Sequence, residues 1–269
     1  MIDSFHIYLN GTHAMVRRQS GLGWRKKIES VGEFEWNAND PSTLAIDTPT
    51  RCSKWLRRWS TMSFYVGSAC CKFMAMDLPP EVKDEHELRA IAAAQVQYQL
   101  GLSVSDWCIT LDITQPPGKS VACAIRRDLI DQIKQLVAKK KFRLISCQAY
   151  ISSIWNEFEE QSNDNQPLAL FALESDALTV VTAQGNNITL INTFLHGRST
   201  TLIERELKRL RVALNTEAGQ HIYIAQSVKP SDNVFLHGVI GVQPRVSTSL
   251  QLQANFSDLL ILPNAESAS

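Results

Sequence analysis

The chain has 269 residues, enough for one large core or two modest ones, and 44% hydrophobic residues exclude a disordered chain. Its 27 basic and 27 acidic residues cancel, which argues against nucleic acid as a partner. No apolar run reaches the ~18 residues of a membrane-spanning helix, and MIDSFHIYLN lacks the basic start and apolar centre of a signal peptide, so a cytoplasmic location is expected.

Phe5 to Leu9 and His13 to Arg17 read as strands joined by a tight turn at Asn10-Gly11. Residues 20–50 read as loops and short strands. Arg51 to Trp59 reads as a helical turn or two, and Ser63 to Met76 as a hairpin bending at Gly67-Ser68. Leu78-Pro79-Pro80 breaks the pattern. Asp84 then stands three residues before Glu87, the spacing of a capping box, and opens a helix carrying Leu88, Ile91, Ala92, Val96 and Leu100. Gly101 ends it.

Strands are expected at Trp107 to Ile113 and Val121 to Ile125. Leu129, Ile130, Ile133, Leu136 and Val137 form a buried helical stripe. Phe142 to Cys147 returns as a strand, and Ile151, Ile154, Trp155 and Phe158 mark a further helix. The polar stretch QSNDNQ at 161–166 is the expected boundary between two domains. Beyond it LALFAL, ALTVVTA and ITLINTF read as a three-strand meander. A helix capped at Thr201 and Glu204 and the strand His221 to Ala225 follow. Two apolar runs, LQLQANF and LLILP, lie in the last forty residues. This order points to a two-lobed α/β nucleotide fold.

Few side chains announce chemistry. None of the six cysteines forms a C-x-x-C pair, and they read as reduced thiols. No two of the six histidines have helical ligand spacing. Gly21-Leu-Gly23 and Gly238-Val-Ile-Gly241 read as plain loops. Lys139-Lys140-Lys141 stands at a helix C-terminus, where cations suit the dipole. Glu174 and Asp176 form an acidic pair at a hairpin bend, read as solvated. Arg51, Lys54, Arg57 and Arg58 interleave with Trp55, Leu56 and Trp59. Such a segment either buries its tryptophans in a core or meets anionic lipid or an acidic partner tail.

The segments MDLPPEVKDEHELRAIAAAQ, DWCITLDI and VACAIRRDLIDQIKQLVAKKKFRLISCQAYISSIWNEF, followed by LALFALESDALTVVTAQGNNITLINTF, resemble one family. It is the actin-like ATPase fold family, in the form of the PilM and GspL proteins of type IV pilus and type II secretion assembly platforms. The likeness lies in element order and covers about two thirds of the chain. It implies two actin-like, RNase H-like lobes: a first at 1–165 with an inserted α/β subdomain at about 79–140, and a second, reduced lobe at 166–269.

The family holds β- and γ-phosphates on Asp-x-Gly-type hairpin turns. Here FHIYLNGTHAMV has no aspartate at its bend, FALESDALTV has no glycine, and HIYIA is followed by Gln226-Ser227 rather than a glycine pair. The expectation is a non-catalytic scaffold with no cofactor and no metal. It would be cytoplasmic and peripheral at the inner membrane, binding a short cytoplasmic peptide of a membrane-anchored subunit. A homodimer is compatible with this reading. Trp55, Arg57, Arg58 and Trp59 are its candidate partner or membrane contacts. The alternatives are an ATPase using Glu174 and Asp176 with Mg²⁺, or a soluble small-molecule enzyme on the same fold.

Overall fold

A computed structural model describes residues 4–21, 27–44, 60–112, 119–139, 142–161, 167–184, 187–196, 202, 205, 221–226 and 245–247. The first sheet has the order β3-β2-β1-β4-β8. Its strands are β1 (Ser4–Leu9), β2 (His13–Ser20), β3 (Lys27–Glu35), β4 (Thr61–Val66) and β8 (Arg143–Ala149). β1 to β3 form an antiparallel meander, while β4 runs parallel to β1 and β8 parallel to β4.

The second sheet has the order β11-β10-β9-β12-β13. It is built from β9 (Pro167–Leu173), β10 (Ala177–Gln184), β11 (Asn187–Leu195), β12 (His221–Gln226) and β13 (Arg245–Ser247). Again a meander comes first, and the fourth strand returns parallel to the first. The two sheets therefore share one winding order. They part at the fifth strand, since β13 is antiparallel to β12.

A third, antiparallel sheet, β5-β7-β6, stands between them in sequence. It contains β5 (Cys71–Asp77), β6 (Trp107–Leu111) and β7 (Lys119–Arg126). The helices are α1 (Glu85–Leu100), α2 (Arg127–Lys139) and α3 (Tyr150–Gln161).

The hairpin expected over Ser63 to Met76 does not form. β4 enters the first sheet between β1 and β8, while β5 leaves it to pair with β7. The 3-10 turn Ser68–Cys70 separates them. Apolar alternation marks both strands but does not say which partner each takes. Residues 20–50 also hold more structure than loops: β3 is nine residues long and pairs along β2. Its register shifts between Val16 and Arg17, leaving Val31 as an extra residue. A bulge of this kind resets the two-residue period that would have revealed the strand.

Around the third sheet the sequence signals hold. The Asp84 side chain accepts from the Glu87 N–H at 3.3 Å, and Gly101 adopts φ 67°, the left-handed conformation that favours glycine. Leu88, Ala92 and Val96 are buried with Met74, Met76, Leu78, Leu111, Ala122 and Ala124 in a separate small core. Leu100 departs from the expected stripe and is 40% exposed. The α2 stripe meets the main core, with Leu129, Ile133, Leu136 and Val137 all buried there. That core runs from Phe5, Ile7 and Phe64 of the first sheet to Leu170, Val181 and Ile191 of the second.

The segment Arg51 to Trp59 lies outside the described residues, as do Ile113, the QSNDNQ stretch beyond Gln161 and both C-terminal apolar runs. Of the helix expected from Thr201, Leu202 and Arg205 are described, and both are helical.

Replacing Asp84 with alanine removes the cap of α1 and is expected to cost about 1 kcal/mol. Asp84→Ser should restore most of it in urea unfolding curves.

Candidate functional site

The β1–β2 bend tightens around Asn10. Its Oδ1 accepts from the Thr12 N–H at 2.8 Å and the His13 N–H at 2.6 Å. That leaves the Gly11 N–H outside the β-ladder, turned toward the second lobe. The β9–β10 bend is Glu174-Ser175-Asp176, closed by the Glu174 N–H on the Ala177 carbonyl at 2.8 Å. In addition the His196 N–H donates to the Asp176 carbonyl at 3.0 Å, and His196 Nε2 lies 3.1 Å from the Glu174 carbonyl.

These two bends touch. Asp176 Oδ2 accepts from the Gly11 N–H at 2.7 Å, and Asn10 Nδ2 donates to Ser175 Oγ at 2.8 Å. Glu174 reaches further. Its Oε2 accepts from the Tyr8 hydroxyl at 2.6 Å, and both carboxylate oxygens lie 3.1 Å from the Ser68 N–H. Tyr8 is held edge-on by Tyr150, with ring centroids 4.8 Å apart at 62°. The result is a polar clasp between residues more than 100 positions apart.

Close approach fixes two glycines. A Cβ on Gly11 would meet Asp176 Oδ2 at 2.8 Å. One on Gly67 would meet the Leu9 carbonyl at 2.8 Å and Glu174 Oε2 at 2.9 Å. Gly67 has an ordinary φ of −62°, so its constraint is space rather than backbone conformation.

The solvated bend expected for Glu174 and Asp176 is not what forms. Glu174 is 2% exposed and Asp176 half-buried. The physical reason is the partner surface: two unpaired N–H groups and a buried phenol give the carboxylates better acceptor roles inside than water does outside. Burial raises the Glu174 carboxyl to about 7 against the opposing pull of the Ser68 and Tyr8 hydrogen bonds, with Asp176 adding to the rise. Burial likewise raises the Tyr8 hydroxyl well above its usual range, with Glu174 next in effect. Among the described residues no cation forms an ion pair with Glu174.

Metal-holding geometry is absent among the described residues, where no group of three or more His, Cys, Asp or Glu side chains converges suitably. Asp176 Oδ1 is buried without a hydrogen-bond partner there, so one carboxylate oxygen of the pair is uncommitted. Five described cysteines are free thiols. No helix among the described residues is long and apolar enough to cross a membrane. Trp55, Arg57, Arg58 and Trp59 are outside the described residues, so the structure does not place them.

Sequence reasoning found the two carboxylates and the turn at Asn10-Gly11, and it marked Gly67-Ser68 as a bend, though of a hairpin that does not form. It missed Tyr8, which sits at an ordinary alternating position in FHIYL. Arg126 and Arg127 stood in that reasoning only as part of the segment VACAIRRDLIDQIKQLVAKKKFRLISCQAYISSIWNEF, with no role assigned. Arg126 donates to the Ala38 carbonyl at 3.1 Å and pairs with Asp128. Arg127 donates to the carbonyls of Ser105 at 2.8 Å, Val104 at 2.9 Å and Trp107 at 3.2 Å. Arg126 thus ties the third sheet to the first lobe, and Arg127 ties the start of α2 to β6 and the turn before it.

Gly67→Ala should destabilise the protein by about 1–3 kcal/mol through overpacking against a backbone carbonyl. Thermal melts at fixed pH check this, and a wild-type melting temperature would mean that the bends stand further apart.

No protein-family profile and no curated protein matches this sequence. Solved structures do match in shape. A Bacteroides thetaiotaomicron protein with an actin-like ATPase fold and unknown function aligns with TM-score 0.57 at 12% identity, covering 88% of this chain and 86% of that one. A chain of the PilM-PilN type IV pilus biogenesis complex aligns with TM-score 0.61 at 8% identity, covering 96% and 85%. The cytoplasmic domain of EpsL, an inner-membrane component of the type II secretion system of Vibrio cholerae, aligns with TM-score 0.51 at 7% identity, covering 96% and 95%. The chain thus has the actin-like α/β fold, in a form similar to the pilus and secretion platform proteins.

Proposed function

We propose that this chain is a non-catalytic cytoplasmic scaffold, peripheral at the inner membrane, in the assembly platform of a type IV pilus or type II secretion-like machine. Its task in this reading is to hold a short cytoplasmic peptide of a membrane-anchored partner. The observation that carries the proposal is the contact between the two hairpin bends. In an actin-like ATPase those bends grip phosphate. Here the Gly11 N–H of the first bend is already taken by Asp176, and the Ser68 N–H of the 3-10 turn after β4 by Glu174. A nucleotide would have to break four interlobe hydrogen bonds and expel a buried carboxylate. The likeness in shape to the PilM-PilN chain and the EpsL domain supports the platform assignment.

The second reading is a working ATPase, favoured by the uncommitted Asp176 Oδ1, on which Mg²⁺ would sit. Calorimetric titration with ATP and Mg²⁺ separates the two. The scaffold reading expects no binding in the micromolar range. Micromolar binding abolished by Glu174→Ala would favour the enzyme reading instead.

For the partner, this reading expects an extended peptide beside the third sheet and the first lobe, added as a strand or held by apolar contacts. The segment with Trp55, Arg57, Arg58 and Trp59 supplies the cationic flank in this proposal. Charge reversal of Arg57 and Arg58 to glutamate should lower recruitment to membranes carrying the partner, with the thermal melt unchanged. Undiminished recruitment would remove this segment from the interface.

A further inference from the structure

The first sheet ends on β8, which pairs with β4 and with no other strand among the described residues. An edge strand leaves one row of backbone N–H and carbonyl groups without a ladder partner, which makes it a template for a further strand. Proteins blunt such edges with a charge or a proline, or twist them away with a bulge. β8 does carry a bulge: Leu144 pairs with Met62 and Ser146 with Ser63, so Ile145 is the extra residue. Yet the side chain at the bulge is isoleucine, and it is 55% exposed. An edge that needed only protection would not present a branched apolar side chain there.

The surroundings of Ile145 are cationic. Arg143, at the start of β8, is exposed, and its N–H is fixed on the Ser60 carbonyl at 3.1 Å. Lys139, in the last turn of α2, is exposed too. The Phe142 N–H donates to the Val137 carbonyl at 3.1 Å and holds that turn beside the strand. Lys134, with its side chain 63% exposed, stands 3.7 Å from Asp131. Burial pushes the Cys147 thiol of β8 up to about 12, and Lys134 pulls against that rise, which places its ammonium within electrostatic reach of the strand. Asp131 offsets one of these three cations. Lys139 and Arg143 form no ion pair among the described residues. Solvated cations on a surface need no partner. Set around an exposed apolar side chain on an unpaired edge, they select the charge of what docks there.

We propose that the β8 edge is a docking site for an extended acidic segment of a partner protein, added to the first sheet as a further strand, with an apolar side chain on Ile145 and carboxylates on Lys134, Lys139 and Arg143. Main-chain hydrogen bonds and the Ile145 contact hold the segment, and the cations choose an acidic sequence over a basic one. The site uses no residue of the clasp. It stands whether or not the chain belongs to a pilus or secretion platform.

Fluorescence anisotropy on the full chain tests this, with a labelled synthetic peptide of alternating glutamate and valine and a lysine–valine peptide as its control. The acidic peptide should bind about tenfold more tightly than the basic one, and it should slow hydrogen exchange at the amides of residues 143–149. Lys134→Glu combined with Lys139→Glu should weaken binding by about tenfold, and Ile145→Ser by about threefold or more, with the thermal melt unchanged in each. No binding, equal binding of the two peptides, or binding that leaves exchange at 143–149 unaltered would overturn the proposal. Two other occupants would overturn it as well. Protection of 143–149 by phosphatidylglycerol vesicles but not by the acidic peptide would give this face to a membrane. Self-association in sedimentation, abolished by Ile145→Ser, would give it to a second copy of the chain.

Discussion

Two backbone N–H groups, on Gly11 and Ser68, determine how the lobes meet. Neither finds an acceptor in its own sheet, because each lies where the chain leaves a strand. A buried N–H without a partner costs free energy comparable to a lost hydrogen bond. The second lobe supplies the acceptors as side chains of one bend, Asp176 for Gly11 and Glu174 for Ser68. The close contacts of Asp176 with Gly11 and of Glu174 with Gly67 follow from that choice. So does the absence of glycine from the second bend, whose role is to extend carboxylates across a gap rather than to present its own backbone.

The remaining contacts reinforce the same closure. β11 of the second sheet lies against β5 and β7. One face of the third sheet therefore meets the second lobe and the main core, through Phe73, Ala75, Val121 and Cys123. Its other face meets α1 through Met74, Met76, Ala122 and Ala124. The alternation along β5 and β7 makes this possible, since both faces of the sheet are apolar where they are covered. Arg126 and Arg127 then satisfy loop carbonyls at the boundary, a task suited to a planar group with several fixed donors.

What the sequence made legible follows from range. The α1 cap, the Gly101 stop, the α2 stripe and the Asn10-Gly11 turn depend on neighbours within a few residues, and each appears in the structure. The two-lobed α/β fold was legible as element order, but the winding of the first sheet was not. β3 was hidden because the bulge at Val31 breaks its period. The separation of β4 from β5 was hidden because strand pairing is a long-range choice. Glu174 was visible as an acidic residue at a bend, but its burial depends on Tyr8, 166 positions away, and on Ser68, 106 positions away. Nothing local in LESDA distinguishes a carboxylate facing water from one facing a phenol.

The chemistry of the clasp bears on why a nucleotide fold would keep its shape without its ligand. Phosphate held between two lobes is an anion on backbone N–H groups, and its departure leaves those donors unpaired. A protein that discards the ligand must either remodel both bends or provide another acceptor. Under the scaffold proposal Asp176 and Glu174 take the second course. The difference lies in exchangeability: a bound phosphate leaves and lets the lobes part, whereas a covalently attached carboxylate remains beside its donors. On that proposal the two lobes meet at a joint held by the bonds of Gly11 to Asp176 and of Ser68 to Glu174.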